Sequence, residues 1–217
     1  MYINGFTEDE LNNINENKKE EKEFSKCFEK LLLGDKKVAS SPLLVGKTPK
    51  AISICCDYGE LDLTISKSVI DKCMMPEIRD NNGKRTKKSG HGLTKQQVLD
   101  VLWAFKRPLM VLKGSSKNTL AVMTDQIDND GRYIFVFIRL NNFGRIKKNN
   151  CIASMYGREG LKEYINQCIK KDYIIAVNIE KVDELCLSIG GDFPKATTFI
   201  NFNSTIAYSI KSVKYPI

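Results

Sequence analysis

Leu109-Met110-Val111-Leu112-Lys113, Thr119-Leu120-Ala121-Val122-Met123-Thr124-Asp125 and Arg132-Tyr133-Ile134-Phe135-Val136-Phe137-Ile138-Arg139-Leu140 are three β-rich runs in close succession. Gly114-Ser115-Ser116 separates the first two and Asn129-Asp130-Gly131 the last two; a fourth run, Cys151–Tyr156, follows the polar stretch 141–150. Valine, isoleucine and aromatic residues suit a pleated, packed surface, and Asn-Asp-Gly is suited to a tight reversal. The four runs predict an antiparallel meander.

Upstream, the periodicity is helical. Thr94 and Gln97 form a Thr-x-x-Gln capping box and Leu93 and Val98 a hydrophobic staple. Val98, Leu99, Leu102, Trp103 and Phe105 form an apolar face that stops before Pro108, and Trp103 and Phe105 read as core. An earlier helix begins at Ser66, with Val69, Ile70, Cys73 and Met74 as its stripe up to Pro76. The stretch 38–65 has irregular β character. Downstream, Leu161, Tyr164, Ile165, Cys168 and Ile169 keep i, i+3, i+4 spacing, Tyr173–Val177 reads as a strand, Glu180–Ser188 as a short helix and Thr205–Val213 as a last strand. Helices before and after a shared antiparallel sheet of four to five strands predict an α+β domain over residues 38–217.

Residues 1–37 predict a charged helical N-terminal segment. Thr7-x-x-Glu10 is a second capping box, residues 12–23 are nearly all polar, and apolar spacing resumes at Phe24, Cys27, Phe28, Leu31 and Leu32 before Gly34. A weakly packed stretch leading into an amphipathic helix is expected.

Several function classes find no support. No apolar run approaches the roughly 20 residues that span a bilayer, and Met1-Tyr2-Ile3-Asn4-Gly5 lacks the cationic end and apolar stretch of an export signal. No membrane partner is expected. Seven cysteines, an odd number without a Cys-x-x-Cys pair, read as reduced thiols in a cytosolic protein. With a single histidine and no ligand-spaced cluster, neither a metal nor another cofactor is expected. Gly46-Lys47-Thr48 lacks the first P-loop glycine, whose position is taken by Ser41.

The net charge of +8 is unevenly spread. Residues 1–50 are balanced, whereas residues 79–113 hold nine Lys or Arg against only Asp80 and Asp100, and Arg139, Arg145, Lys147 and Lys148 form a second cluster. Positive charge so concentrated is an electrostatic footprint for polyanions, nucleic acid above all, although a solvated lysine-rich surface gives the same count.

The one histidine lies in Lys87-Lys88-Ser89-Gly90-His91-Gly92-Leu93-Thr94, where the basic segment meets the capped helix start. Helix amides and lysines there attract anions and disfavour an imidazolium, so a neutral His91 able to act as a base is expected. The competing reading is a surface histidine in a lysine-rich loop.

Val45-Gly46-Lys47-Thr48-Pro49, Ile65-Ser66-x-x-Val69, His91-Gly92-Leu93-Thr94, Arg107-Pro108-Leu109-x-Val111, Leu120-Ala121-Val122-x-Thr124 and Ile152-Ala153-Ser154-x-Tyr156-Gly157 occur in this order. The series, over roughly residues 43–213, resembles the phage MuF C-terminal and related nuclease-like domains grouped with the barnase, EndoU, colicin and RelE-like fold. The resemblance implies a metal-independent endoribonuclease-like toxin or effector of phage or mobile-element origin, acting in a bacterial host cytosol, with delivery by a virion as one route. It points to His91, Ser154 and Tyr156 as catalytic candidates.

RNA carries its own nucleophile, so cleavage needs a base for the 2′-hydroxyl proton, donors for the phosphate and an acid for the departing oxygen. His91 is the expected base. Lys84, Arg85, Lys87, Lys88, Arg139 and Arg145 are the expected nucleic-acid contacts; Ser154 would hold a phosphate oxygen, and Tyr156 would stack on a base or position a proton. A buried serine with a tyrosine anchoring a loop would give the same pattern. RNA, tRNA among the candidates, or another polyanion is the expected partner, with a cognate immunity protein or host protein as a second. The alternatives are a catalytically inactive nucleic-acid- or protein-binding phage accessory or anti-defence module, and a nucleotide-modifying transferase.

Overall fold

Thr94 accepts a hydrogen bond from the Gln97 amide at 3.1 Å while the Gln97 side chain accepts one from the Thr94 amide at 2.9 Å, so the capping box forms as the spacing requires. The helix it opens is one of five helical elements among the described residues of a computed structural model. The structure describes residues 4–7, 18–49, 52, 61–83, 85–86, 88–116, 118–143, 148–178, 180–181 and 184–185. The elements are β1 (Asn4–Phe6), α1 (Lys18–Leu32), α2 (Lys36–Ala39), β2 (Leu43–Lys47), β3 (Asp62–Ile65), α3 (Lys67–Met74), α4 (Lys95–Ala104), β4 (Met110–Lys113), β5 (Thr119–Ile127), β6 (Tyr133–Phe143), β7 (Lys148–Gly157), α5 (Leu161–Lys170) and β8 (Ile174–Asn178). The helix expected from Thr7 and the strand expected at 205–213 fall largely or wholly outside the described residues.

The fold is α+β, but its sheet is larger than the four to five strands expected. Eight strands lie in the order β1-β8-β4-β5-β6-β7-β3-β2. The meander β4-β5-β6-β7 is antiparallel throughout, with Val122 opposite Val136 and Phe137 opposite Ser154. The additional strands are short and irregular, and two of them join in parallel: β3 beside β7 and β1 beside β8. Such pairings are set by long-range packing and leave little local signal.

Alternation along the strands divides the core in two. Leu120, Val122, Ile134, Val136 and Ile138 face α1, α3 and α4, where they meet Phe24, Phe28, Ile70, Cys73, Val98 and Leu102. Ala121, Met123 and Phe135 face the other way and pack with Ile165 and Cys168 of α5. The charged N-terminal segment is part of this core. Phe24, Phe28 and Leu31 are spaced one helical face apart and almost fully buried, so α1 already begins at Lys18, within the stretch expected to be weakly packed. Ion pairs join Lys106 to Glu21 at 3.2 Å and Lys95 to Glu29, setting acidic residues of α1 against basic residues of the second half.

Cys27, Cys73, Cys151 and Cys168 are free thiols. No helix among the described residues is long and apolar enough to cross a membrane.

Candidate active site

His91 is held by its backbone before its side chain makes any contact. The end of α3 leaves carbonyls without helical partners. The passing chain supplies amides to them: Gly90 to Pro76 at 2.9 Å, His91 to Lys72 at 3.1 Å, Gly92 to Met75 at 2.8 Å and Leu93 to Cys73 at 2.9 Å. Gly90 is buried in this seam, where a Cβ would lie 2.1 Å from the Met75 carbonyl oxygen. Thr94 then caps α4. The imidazole therefore sits between the carbonyl end of one helix and the amide end of the next.

The side chain reaches β7 where β3 has ended. The β3–β7 register stops at Ile65 opposite Ile152, after which the chain turns into α3. Beside the remaining edge of β7, His91 Nε2 lies 3.0 Å from Ser154 Oγ, and the imidazole and Tyr156 ring centroids are 4.9 Å apart with planes tilted by 33°. Phe137, on the neighbouring β6, stacks on Tyr156 at 4.8 Å and 14°. The structure thus brings His91, Ser154 and Tyr156 together. It also flanks Tyr156 with Phe137 from one neighbouring strand and His91 from the side where β3 has ended, which crowds the faces a base would stack on.

The imidazole is half-buried, and Nδ1 is buried with no hydrogen-bond partner. Burial depresses the His91 pKa to about 4, helped by Lys72 and Arg85 and opposed by Glu77. Neutrality at pH 7 was the expectation; the largest cause is desolvation rather than the helix end.

The arginines form a separate network. Glu77 receives Arg79, Arg85 at 2.7 Å and Arg132 at 3.1 Å; Glu159 receives Arg79 and Arg132; and Arg132 also reaches Asp128 at 2.6 Å and Asp130 at 2.7 Å. Burial pushes the Glu77 carboxyl up, but hydrogen bonds from Arg132 and Arg85 outweigh it and hold it below the usual range. The Arg79 hydrogen bond does the same for Glu159, against a smaller effect of burial. Arg85, expected on a phosphate, is committed to Glu77, to the Gly157 carbonyl at 3.4 Å and to the Tyr156 ring, 5.9 Å from its centroid. Counting charges along 79–113 overlooked the carboxylates that folding brings in from 77, 128, 130 and 159.

Lys88 and Arg139 are exposed. Arg139, opposite Cys151, lies further along the sheet than Ser154. Lys84, Lys87 and Arg145 lie outside the described residues. Sequence reasoning missed Glu77, Arg132 and Phe137. Phe137 had a signal in its alternation with buried Val136 and Ile138, whereas nothing local ties Glu77 to Arg132, 55 residues away. Among the described residues no group of three or more His, Cys, Asp or Glu is arranged to hold a metal ion.

Neither a curated protein nor a solved structure matches the chain. Residues 82–184, a narrower span than the motif series and one that holds His91, Ser154 and Tyr156, match the model of the phage MuF C-terminal domain family.

Proposed function

We propose that the chain binds RNA and cleaves it without a metal ion, as an endoribonuclease-like toxin or effector working in a bacterial cytosol. The observation that carries this reading is the pairing of an unprotonated His91 with the Ser154 hydroxyl at 3.0 Å, beside Tyr156. In the reaction the 2′-oxygen attacks phosphorus, its proton passes to His91 Nε2, the bond to the 5′-oxygen breaks, and a proton returns to that oxygen. The products are a 2′,3′-cyclic phosphate and a 5′-hydroxyl. Ser154 donates to a phosphate oxygen, the Tyr156 hydroxyl guides a proton, and Lys88 and Arg139 attract the polyanion.

An imidazole with a pKa near 4 is a weak base in the free protein. A bound phosphodiester brings negative charge beside it and raises its proton affinity toward neutrality, where proton transfer is most effective. Binding would therefore switch on the base.

Binding without cleavage is the second reading. It is favoured by one observation: Arg79, Arg85 and Arg132 are already paired with carboxylates, leaving fewer donors for a transition state. One experiment separates the two. Single-stranded RNA incubated with the full chain in EDTA should yield cyclic-phosphate ends, and His91→Ala should not produce them. RNA retained but intact would leave the binding module; cleavage that needs added magnesium would remove the proposed mechanism.

A further inference from the structure

Ser154, Tyr156 and Arg158 alternate at the end of β7, and residues two apart along a strand share a face at a spacing of roughly 6.6 Å. The first two belong to the candidate site. Arg158 continues the row beyond Gly157, anchored by its amide to the Tyr133 carbonyl at 3.1 Å. Its guanidinium carbon lies 3.3 Å from the Tyr164 ring centre, flat support from the first turns of α5. Tyr156 also acts electrostatically on Tyr164, so the two phenols and the guanidinium share one neighbourhood.

Among the site's arginines, Arg158 differs in what it lacks. Arg79, Arg85 and Arg132 divide four carboxylates among them and carry no surplus charge for a ligand. Among the described residues Arg158 has no ion-pair partner, and its Nε is buried without a hydrogen-bond partner. A guanidinium stacked on an aromatic ring has its planar set of donors above the ring and pointing outward, in a rigid fork that matches two oxygens of a phosphate. The stack fixes the fork before a ligand arrives, which reduces the ordering cost of binding.

We propose that Arg158, rather than the Arg79–Arg85–Arg132 cluster, holds a backbone phosphate of the bound RNA strand next to Tyr156. This inference rests on the RNA reading given above. It makes the end of β7 a continuous contact line: His91 and Ser154 at the reacting phosphate, Tyr156 beside it, and Arg158 on a neighbouring phosphate.

The test is equilibrium binding of a labelled single-stranded oligoribonucleotide with 2′-deoxy sugars at its cleavable positions, measured over a range of salt concentrations with the full chain. Arg158→Ala should weaken binding about tenfold and reduce the slope of log K against log salt by about 0.7, the counterion release of one single-strand phosphate. Arg158→Lys should restore the slope but not the full affinity, because a point charge lacks the fork. Lys37→Ala, on the remote exposed helix α2, removes the same charge and should leave the slope unchanged. Thermal unfolding of each variant shows whether it is folded. If Arg158→Ala keeps the wild-type affinity and slope, or if Lys37→Ala lowers both equally, the assignment of Arg158 fails while RNA binding stands. If the wild type does not bind the oligonucleotide at all, the RNA reading fails and this inference with it.

Discussion

His91 Nε2 and Ser154 Oγ lie 3.0 Å apart although 63 residues separate them in the chain. A neutral imidazole has one proton to place. On Nδ1 it would be a buried donor without an acceptor; on Nε2 it is donated to Ser154. An orphaned N–H costs about 1–3 kcal/mol, so the free protein rests with the proton on Nε2. Base catalysis then requires a bound substrate to invert this preference. Nitrogen NMR of the sole imidazole should show the Nε2–H tautomer in the free protein and a shift to Nδ1–H or imidazolium on adding a 2′-deoxy substrate analogue. An unchanged spectrum in the complex would favour binding without cleavage.

His91→Ala should lower the cleavage rate by about 10²–10⁴-fold with little change in RNA affinity, because the imidazole supplies a proton acceptor rather than the attraction. Its effect on stability exceeds that of a loop histidine. The ring is half-buried against Tyr156 and hydrogen-bonded to Ser154, so a loss of about 1 kcal/mol is expected. Single-turnover cleavage and urea unfolding measure the two effects separately.

The depressed pKa makes stability depend on pH. Between about 4 and the ordinary value of 6.5 the unfolded histidine binds a proton that the folded one does not, so stability rises with pH through this window. The contribution is complete above 6.5 and is lost as pH falls toward 4, at no more than about 1.4 kcal/mol per pH unit. Urea unfolding at pH 5 and pH 7 should show a larger difference for the wild type than for His91→Ala. Equal differences would mean that the imidazole is not desolvated in the folded protein.

The central meander and the helix at Lys95 were legible because each is specified locally, by alternation in β5 and β6 and by the Thr94–Gln97 box in α4. β1 was not, and β2 and β3 showed only as irregular β character over 38–65, without bounds or partners: three to five residues long, these strands hold their places by pairing with strands distant in sequence, as Leu63 does with Asn150. His91 could be singled out because it is the sole histidine and precedes a strong cap, and the motif series added Ser154 and Tyr156. Their contact could not be read from spacing, since it depends on β3 ending where β7 continues. The partners of the arginines were equally hidden, because Glu77, which pairs with Arg85, stands just outside the basic window, and Glu159, which pairs with Arg79 and Arg132, is distant in sequence.

Glu77→Gln should lower stability and strengthen RNA binding, a divergence that a purely structural role would not produce. The amide keeps the volume but removes the charge that three guanidinia share, and the loss of this partly buried centre should destabilise the fold by about 2 kcal/mol. The released positive charge should steepen the salt dependence of RNA binding. Weaker binding at unchanged slope would show that the arginines do not meet the nucleic acid even when freed.

Gly90→Ala tests whether the seam at the end of α3 sets the site. An added Cβ would meet the Met75 carbonyl oxygen at 2.1 Å and the Met75 Cβ at 2.4 Å, and the backbone cannot swing aside as a side-chain tip can. The chain must lift off α3, loosening the Gly90, His91, Gly92 and Leu93 amide bonds and drawing the imidazole from Ser154. Overpacking and lost hydrogen bonds together should cost about 2–3 kcal/mol. Gly83→Ala is the comparison: with φ of +73° but nothing within 4 Å, it carries only the left-handed backbone penalty of about 1 kcal/mol. Moving His91 into solvent should also return its pKa from about 4 toward 6.5 in Gly90→Ala but not in Gly83→Ala. A Gly90→Ala protein with wild-type stability and an unshifted imidazole would show that this seam does not position His91.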